Sequence, residues 1–201
     1  MLKLFERQTT LAKAFIDEGL KPGDSAIDAT AGHGDDTLFL AEAVGEEGTV
    51  YSFDVQSDAL RKTREKCEAN HYAKRVQFFQ KGHETISDNP EIRQDSKIKA
   101  IMFNLGYLPG GDHEITTRVD TTLAAVQGAL NVLSCGGRMT ICVYGHPSGQ
   151  EEMTGLTKML PQLGHTFNVY EIKTCNHQQA PVLFVIEKKK EEAKKISDEG
   201  K

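Results

Sequence analysis

The stretch that decides the fold is residues 25–40, SAIDATAGHGDDTLFL. An apolar run ends in a glycine-containing turn, and a helical pattern starts at once behind it. Strand, loop, helix in that order is how doubly wound α/β sheets build a ligand site at the carboxyl ends of their strands. Outward from this stretch the alternation repeats. Short apolar runs predict seven strands, over residues 25–29, 49–54, 76–80, 100–105, 138–144, 166–173 and 182–187. Between them, residues 35–44, 57–70, 116–132 and 150–163 carry apolar positions at helical spacing, and 84–92 does so more weakly. Around 116–132, Leu123, Val126, Leu130 and Leu133 mark the buried stripe, and Gly136 and Gly137 stop the helix. A leading helix runs from Thr9 or Thr10 to Gly19.

This alternation signals βαβ units, a mostly parallel sheet and helices on both faces. The last two strands have only residues 175–181 between them. That is too short for a parallel crossover, so the sheet ends in an antiparallel hairpin. An ordinary dinucleotide-binding sheet does not end that way.

The 201 residues suit one domain, residues 1–188, with the charged stretch 189–201 as a loose tail. No apolar run approaches the roughly 20 residues that cross a bilayer. The N-terminus, with charges at Lys3, Glu6, Arg7, Lys13, Asp17 and Glu18, does not read as a signal peptide. A cytoplasmic protein without membrane contact is the expectation. Cys67, Cys135, Cys142 and Cys175 form no Cys-x-x-Cys pair, so neither a disulfide framework nor a metal site is signalled. A net charge of −5 speaks against a general nucleic-acid coat. It leaves room for local basic footprints at Lys3, Arg7 and Lys13, along 61–75, and in the lysine-rich tail.

In the loop after the first strand, Gly32 and Gly34 let the backbone pass close to a ligand. The third glycine of G-x-G-x-x-G is replaced by Thr37, and Asp35 and Asp36 occupy the first helical turn. Two carboxylates there suit the helix dipole but repel a pyrophosphate. A cationic ligand fits better, and S-adenosylmethionine carries a sulfonium and an ammonium. Asp28 and Asp35 are the chief acidic candidates, with Thr30, His33, Asp36 and Thr37 completing the loop's cofactor set. Asp54 ends the second strand some twenty residues on, where a carboxylate accepts hydrogen bonds from both ribose hydroxyls. Val55 and Gln56 follow as flanks for an adenine, and His83, after the third strand, is a further adenine or ribose contact.

The fourth strand ends in Asn104-Leu105-Gly106-Tyr107, where the reacting group of such a sheet points at the cofactor. This segment resembles the Asp/Asn-Pro-Pro-Tyr signature of amino-group methyltransferases, with Leu105-Gly106 in place of Pro-Pro. By that resemblance Asn104 orients an amine and Tyr107 stacks on a base. Residues 109–112 form a loop able to close over substrate, with His113 and Glu114 beside it as proton acceptors. Tyr144, Gly145 and His146 reach the same edge from the fifth strand, and His146 joins Asn104 and Tyr107 as the third catalytic candidate. Asn176 and Pro181, in the final hairpin's connection, shape the cleft.

Together DATAGHGDDT, YSFDVQ, NLGYLPGGD with the downstream TT, and VYGHPSGQEE resemble a small methyltransferase family, the YtqB-like rRNA methylases, over residues 8–188. The resemblance implies a Rossmann-like class I S-adenosylmethionine-dependent methyltransferase fold. It further implies a tRNA enzyme that converts wobble 5-aminomethyl-2-thiouridine to 5-methylaminomethyl-2-thiouridine, with the anticodon loop as partner. A wobble base is unpaired, so a stacking platform such as Tyr107 and a modest basic rim suffice to recognise it. The leading helix, if exposed, makes a homodimer reasonable. The rivals are methylation of rRNA, of a small-molecule amine or of a catechol, a non-catalytic cofactor or RNA-binding module, and a nicotinamide-dependent oxidoreductase. Thr37 and the acidic helix start disfavour the last.

Overall fold

A computed structural model describes residues 7–106, 116–145, 147–177 and 179–190. Seven strands form one sheet: β1 (Ser25–Asp28), β2 (Thr49–Phe53), β3 (Val76–Phe79), β4 (Ile98–Leu105), β5 (Arg138–Val143), β6 (Phe167–Ile172) and β7 (Val182–Lys188). Their order is β3-β2-β1-β4-β5-β7-β6. The first five run parallel, and β7 pairs antiparallel with both β5 and β6. The expected closing hairpin is therefore present, its second strand inserted beside β5 and its first left at the edge. Strand order reverses between β1 and β4, the point at which a doubly wound sheet opens a crevice.

Period-2 alternation sends successive residues to opposite faces. Along β4, Ala100 and Met102 face α1 (Gln8–Asp17), α2 (Asp35–Ala43) and α3 (Ser57–Ala69), packing with Ile16, Leu40 and Cys67. Ile101 and Phe103 face the other layer, formed by α4 (Pro90–Gln94), α5 (Val119–Val132) and α6 (Pro147–Met159), and pack with Ile92, Val126 and Leu156. Buried apolar layers on both faces pack the sheet against its helices and leave only its edges and strand ends for function. The four cysteines are free, Cys67 and Cys142 buried, Cys135 and Cys175 exposed. Among the described residues no helix is long and apolar enough to cross a membrane.

Local chemistry shifts several expected boundaries. The weak helix over 84–92 is two pieces, a 3-10 turn at His83–Asp88 and then α4. Pro90 has no N–H to continue a helix from behind, so a new one starts there, and the Asn89 side chain caps it by accepting from the Glu91 and Ile92 amides. Helix α5 starts at Val119 rather than 116, because Arg118 is extended and the Thr117 amide donates instead to the Gly106 carbonyl at 3.1 Å. Helix α6 starts earlier than expected, at Pro147, whose fixed φ suits a first helical position.

The leading helix is not an exposed appendage. Ala12 and Ile16 are 1% exposed, and the Arg138 guanidinium donates to the Phe15 carbonyl at 2.9 Å and pairs with Glu18 at 2.7 Å. Helix α1 is docked over β5 and β7, so the case for a homodimer that rested on its exposure lapses. The tail from 191 onward lies outside the described residues.

Candidate active site

At the carboxyl ends of β1 to β5 a continuous cleft of about 1200 Å³ opens, lined also by α1 and the connection after β6. Its floor is the loop after β1. Gly34 sits in the left-handed region at φ 78°, and a Cβ there would lie 2.9 Å from the Thr63 backbone, so only glycine lets α2 start this close to α3. The Gly34 amide closes the turn on the Ala31 carbonyl at 2.7 Å.

Asp54 organises the next part of the wall. Its Oδ2 accepts from the Gly32 amide and its Oδ1 from the Gln56 amide, both at 2.9 Å. Each carboxylate oxygen keeps a lone pair, so two adjacent hydroxyls can still bind. Beside it Val55 is 54% exposed, an apolar side chain held in the open next to a charge. His83 is 7% exposed and stands 5.7 Å from the Phe103 ring. Burial holds its pKa below the ordinary histidine value although the Glu84 carboxylate, and next a bond to the Ala29 carbonyl, oppose this, so the ring is neutral near pH 7. A diol acceptor, an apolar slab and a neutral imidazole along one wall fit an adenosine.

The acidic residues divide into two groups. Asp28 is fully buried, with Oδ2 accepting from the Thr37 hydroxyl at 2.5 Å and Oδ1 from the Thr30 amide at 3.1 Å. Burial, and next the charge of Asp36, push its pKa up to about 7. It does not line the cleft, nor do Gly34 and Thr37. These three residues, expected to touch a cofactor, instead build the loop from behind. Asp35 and Asp36 do line the cleft, but Lys66 pairs with Asp35 at 2.5 Å and Lys13 with Asp36 at 3.0 Å. The lysines offset the charge that the sequence offered to a cationic ligand. Of the remaining cofactor candidates, Thr30, Gly32, His33, Asp54, Gln56, His83 and Asn104 line the cleft.

Asn104 holds the far side of the loop. Its amide donates to the Thr30 hydroxyl at 2.8 Å, which ties the end of β4 to the end of β1. Its Oδ1 is buried without a hydrogen-bond partner. Its side-chain amide meets the hydroxyl of Tyr144, whose pKa burial pushes up to about 12, so that phenol stays protonated. Tyr107, His146, the loop 109–112, His113 and Glu114 lie outside the described residues.

Helix α1 supplies a wall that no motif announced: Gln8, Thr9, Thr10 and Lys13 line the cleft, as do Lys81, Thr116, Thr117 and Arg118. In the sequence Lys13 stands out as part of a basic footprint and Thr9 or Thr10 as a helix start, but nothing there places them in the cleft. Tyr144 was legible as reaching this edge but not as the partner of Asn104.

Residues 50–188 match the family model described as "Putative rRNA methylase". The chain is 33% identical over 192 residues to the Arabidopsis thaliana protein named tRNA (mnm(5)s(2)U34)-methyltransferase, chloroplastic, a match covering 89% of this chain and 68% of that one. It is 29% identical over 126 residues to ribosomal RNA small subunit methyltransferase H of Oceanobacillus iheyensis, spanning 60% of this chain but only 38% of that protein. Among solved structures, a Clostridium thermocellum chain carrying the same description as the family superposes with a TM-score of 0.86 at 36% identity, covering 92% of this chain and 98% of the other. A Streptococcus mutans chain solved in complex with SAH superposes with a TM-score of 0.80 at 37% identity, covering 92% and 99%. With an adenosine-shaped wall on this sheet and these relatives, the protein is an S-adenosylmethionine-dependent methyltransferase and belongs to the rRNA methylase family.

Proposed function

We propose that this enzyme N-methylates a primary amine on RNA, the 5-aminomethyl group of the tRNA wobble 2-thiouridine, giving 5-methylaminomethyl-2-thiouridine. The observation that carries the reading is the unpartnered, buried Oδ1 of Asn104 in the cleft wall. Leaving such a carbonyl unmet costs roughly 1–3 kcal/mol, so its persistence points to a ligand with N–H to donate. An amine has one. Asn104 is neutral and takes no proton, so it orients the amine while the nitrogen lone pair stays available.

Asp54, Val55 and His83 are the residues that would hold S-adenosylmethionine, which when bound supplies an electrophilic methyl group. The enzyme's own task is presentation: Asn104 and Tyr144 fix the amine within near-attack distance, roughly 3 Å, of the reacting carbon. The amine must arrive deprotonated. The electron-poor uracil ring lowers its basicity, and Lys66 and Lys13 pair with Asp35 and Asp36, so those two carboxylates do not favour the ammonium. Exposed Arg7, Lys81 and Arg118 at the cleft mouth suit phosphates on either side of an extruded base. The Arabidopsis relative, named a tRNA (mnm(5)s(2)U34)-methyltransferase, supports the same substrate.

The Oceanobacillus relative favours a second reading, an rRNA base. Transfer of tritiated methyl from labelled S-adenosylmethionine to bulk tRNA and, separately, to rRNA, both purified from a strain lacking the gene, tests the two. Label confined to tRNA supports the proposal, and label confined to rRNA rejects it.

A further inference from the structure

Lys13, which neutralises Asp36, also lines the cleft, with 28% of its side chain exposed. Its Nζ stands 3.0 Å from Asp36 Oδ1 and donates to the Asp35 carbonyl at 2.8 Å. An ammonium has three N–H groups and no lone pair, so it meets a ligand only as a donor. These bonds use two of the three, and one remains for the cleft. The long side chain is steadied against α2 as well, with Nζ 5.4 Å from the centre of the Phe39 ring.

Position narrows what this cation can hold. Of the other lysines and arginines that line the cleft, Lys81 adjoins Gly82 and His83, and Arg118 adjoins Thr117, whose amide is bonded to Gly106 at the end of β4. The charge of Arg7 is felt at Tyr144. Lys13 is bonded instead to the loop after β1, whose Gly32 amide donates to Asp54 at 2.9 Å. From Gly32 to Asp35 the chain reaches at most about 10 Å. The ribose acceptor thus stands at one end of this loop and a cation at the other.

We propose that Lys13 binds the α-carboxylate of S-adenosylmethionine. The inference rests on the cofactor and holds whichever amine receives the methyl. The amino-acid end of the cofactor carries an ammonium and a carboxylate on one carbon and has no net charge. Two bare aspartates at the start of α2 would repel that carboxylate, whereas a lysine and an aspartate 3.0 Å apart present both signs to it. A charge-assisted bond from the remaining N–H then fixes the end of the cofactor away from the ribose. It also gives the docking of α1 on the sheet a direct use in binding, since Lys13 comes from that helix and its partners Asp35 and Asp36 from α2.

Isothermal titration of the full chain with S-adenosylmethionine and with its decarboxylated form, which differs only in lacking the carboxylate, tests this, with melting curves as a check on folding. The wild type is expected to bind the decarboxylated form roughly tenfold to a hundredfold more weakly. Lys13→Met, which keeps a chain of similar length beside Phe39, is expected to weaken S-adenosylmethionine by a similar factor and to leave the decarboxylated form no weaker than in the wild type. Lys13→Arg, which keeps a cation, is expected to retain most of the preference. Equal affinity of the wild type for both ligands overturns the assignment without recourse to any variant. So does a Lys13→Met protein whose affinity for S-adenosylmethionine is unchanged, or which loses affinity equally for both ligands, as a lysine that only shapes the wall would. A wild type that binds neither ligand removes the cofactor assignment and this inference with it.

Discussion

Asp54→Ala isolates the ribose contact that the cofactor wall implies. In the folded protein the Asp54 carboxylate already satisfies the Gly32 and Gln56 amides, each at 2.9 Å, and has acceptor capacity for two hydroxyls. Hydrogen bonds to a charged group contribute about 1.5–3 kcal/mol each, so loss of two costs at least about 3 kcal/mol of binding. At 1.4 kcal/mol per tenfold, cofactor Kd should rise roughly a hundredfold or more. Release of the Gly32 amide loosens the loop and adds to the loss. Asp54→Asn keeps one carbonyl oxygen and should fall between the two. Isothermal titration of S-adenosylmethionine into wild type and both variants reads this directly, with melting curves as a check on folding. A Kd for Asp54→Ala within threefold of wild type would refute the assignment of this carboxylate to the ribose.

Removing the acceptor in Asn104→Ala should lower kcat by on the order of a hundredfold and leave cofactor Kd nearly unchanged. An equal loss in both would make the Asn104 side chain a cofactor contact rather than an amine acceptor, since its backbone bond to Thr30 survives the substitution. In Gly34→Ala, the left-handed backbone and the 2.9 Å approach to Thr63 together should cost about 2–3 kcal/mol, read as a drop in Tm on the order of 5–10 °C; an unchanged Tm would show that the loop re-forms without strain. Asp28 carries a pH signature. Its folded pKa, about 7, lies above the ordinary 3.8, so the unfolded chain binds fewer protons between those values and stability falls as pH rises through that window. Asp28→Asn removes the titration, so its Tm should gain on wild type from pH 4 to 7 and level off above; a gap that stays constant with pH contradicts the buried, protonated carboxyl.

What was legible in the sequence was what depends on neighbours along the chain. The strand, glycine turn and acidic helix start at 25–40 are local, and so is the short connection that forces β6 and β7 into a hairpin. Asp54 follows from the end of its strand. Long-range docking was not legible. Gln8 enters the site only because Ala12 and Ile16 bury α1 against the sheet, and it meets Pro181 across 173 positions of chain. The same holds for Lys13 and Lys66, whose pairing with Asp36 and Asp35 turns two apparent cation ligands into internal ion pairs. Asp28 read as a ligand because its place at the end of β1 is the usual one. Only its complete burial beneath Thr30 and Thr37 shows that it shapes the loop instead.

In the proposed reaction the methyl group goes to the aminomethyl nitrogen of the wobble uridine. Bulk tRNA from a strain lacking the gene, incubated with the purified protein and S-adenosylmethionine and then digested to nucleosides for mass spectrometry, tests it most directly. 5-aminomethyl-2-thiouridine is expected to disappear as a nucleoside heavier by one methyl appears, with fragmentation placing that methyl on the side-chain nitrogen, and Asn104→Ala is expected to leave the substrate peak in place. A methyl found on a ring atom or a ribose oxygen, or an undiminished 5-aminomethyl-2-thiouridine peak with the wild-type protein, would contradict it.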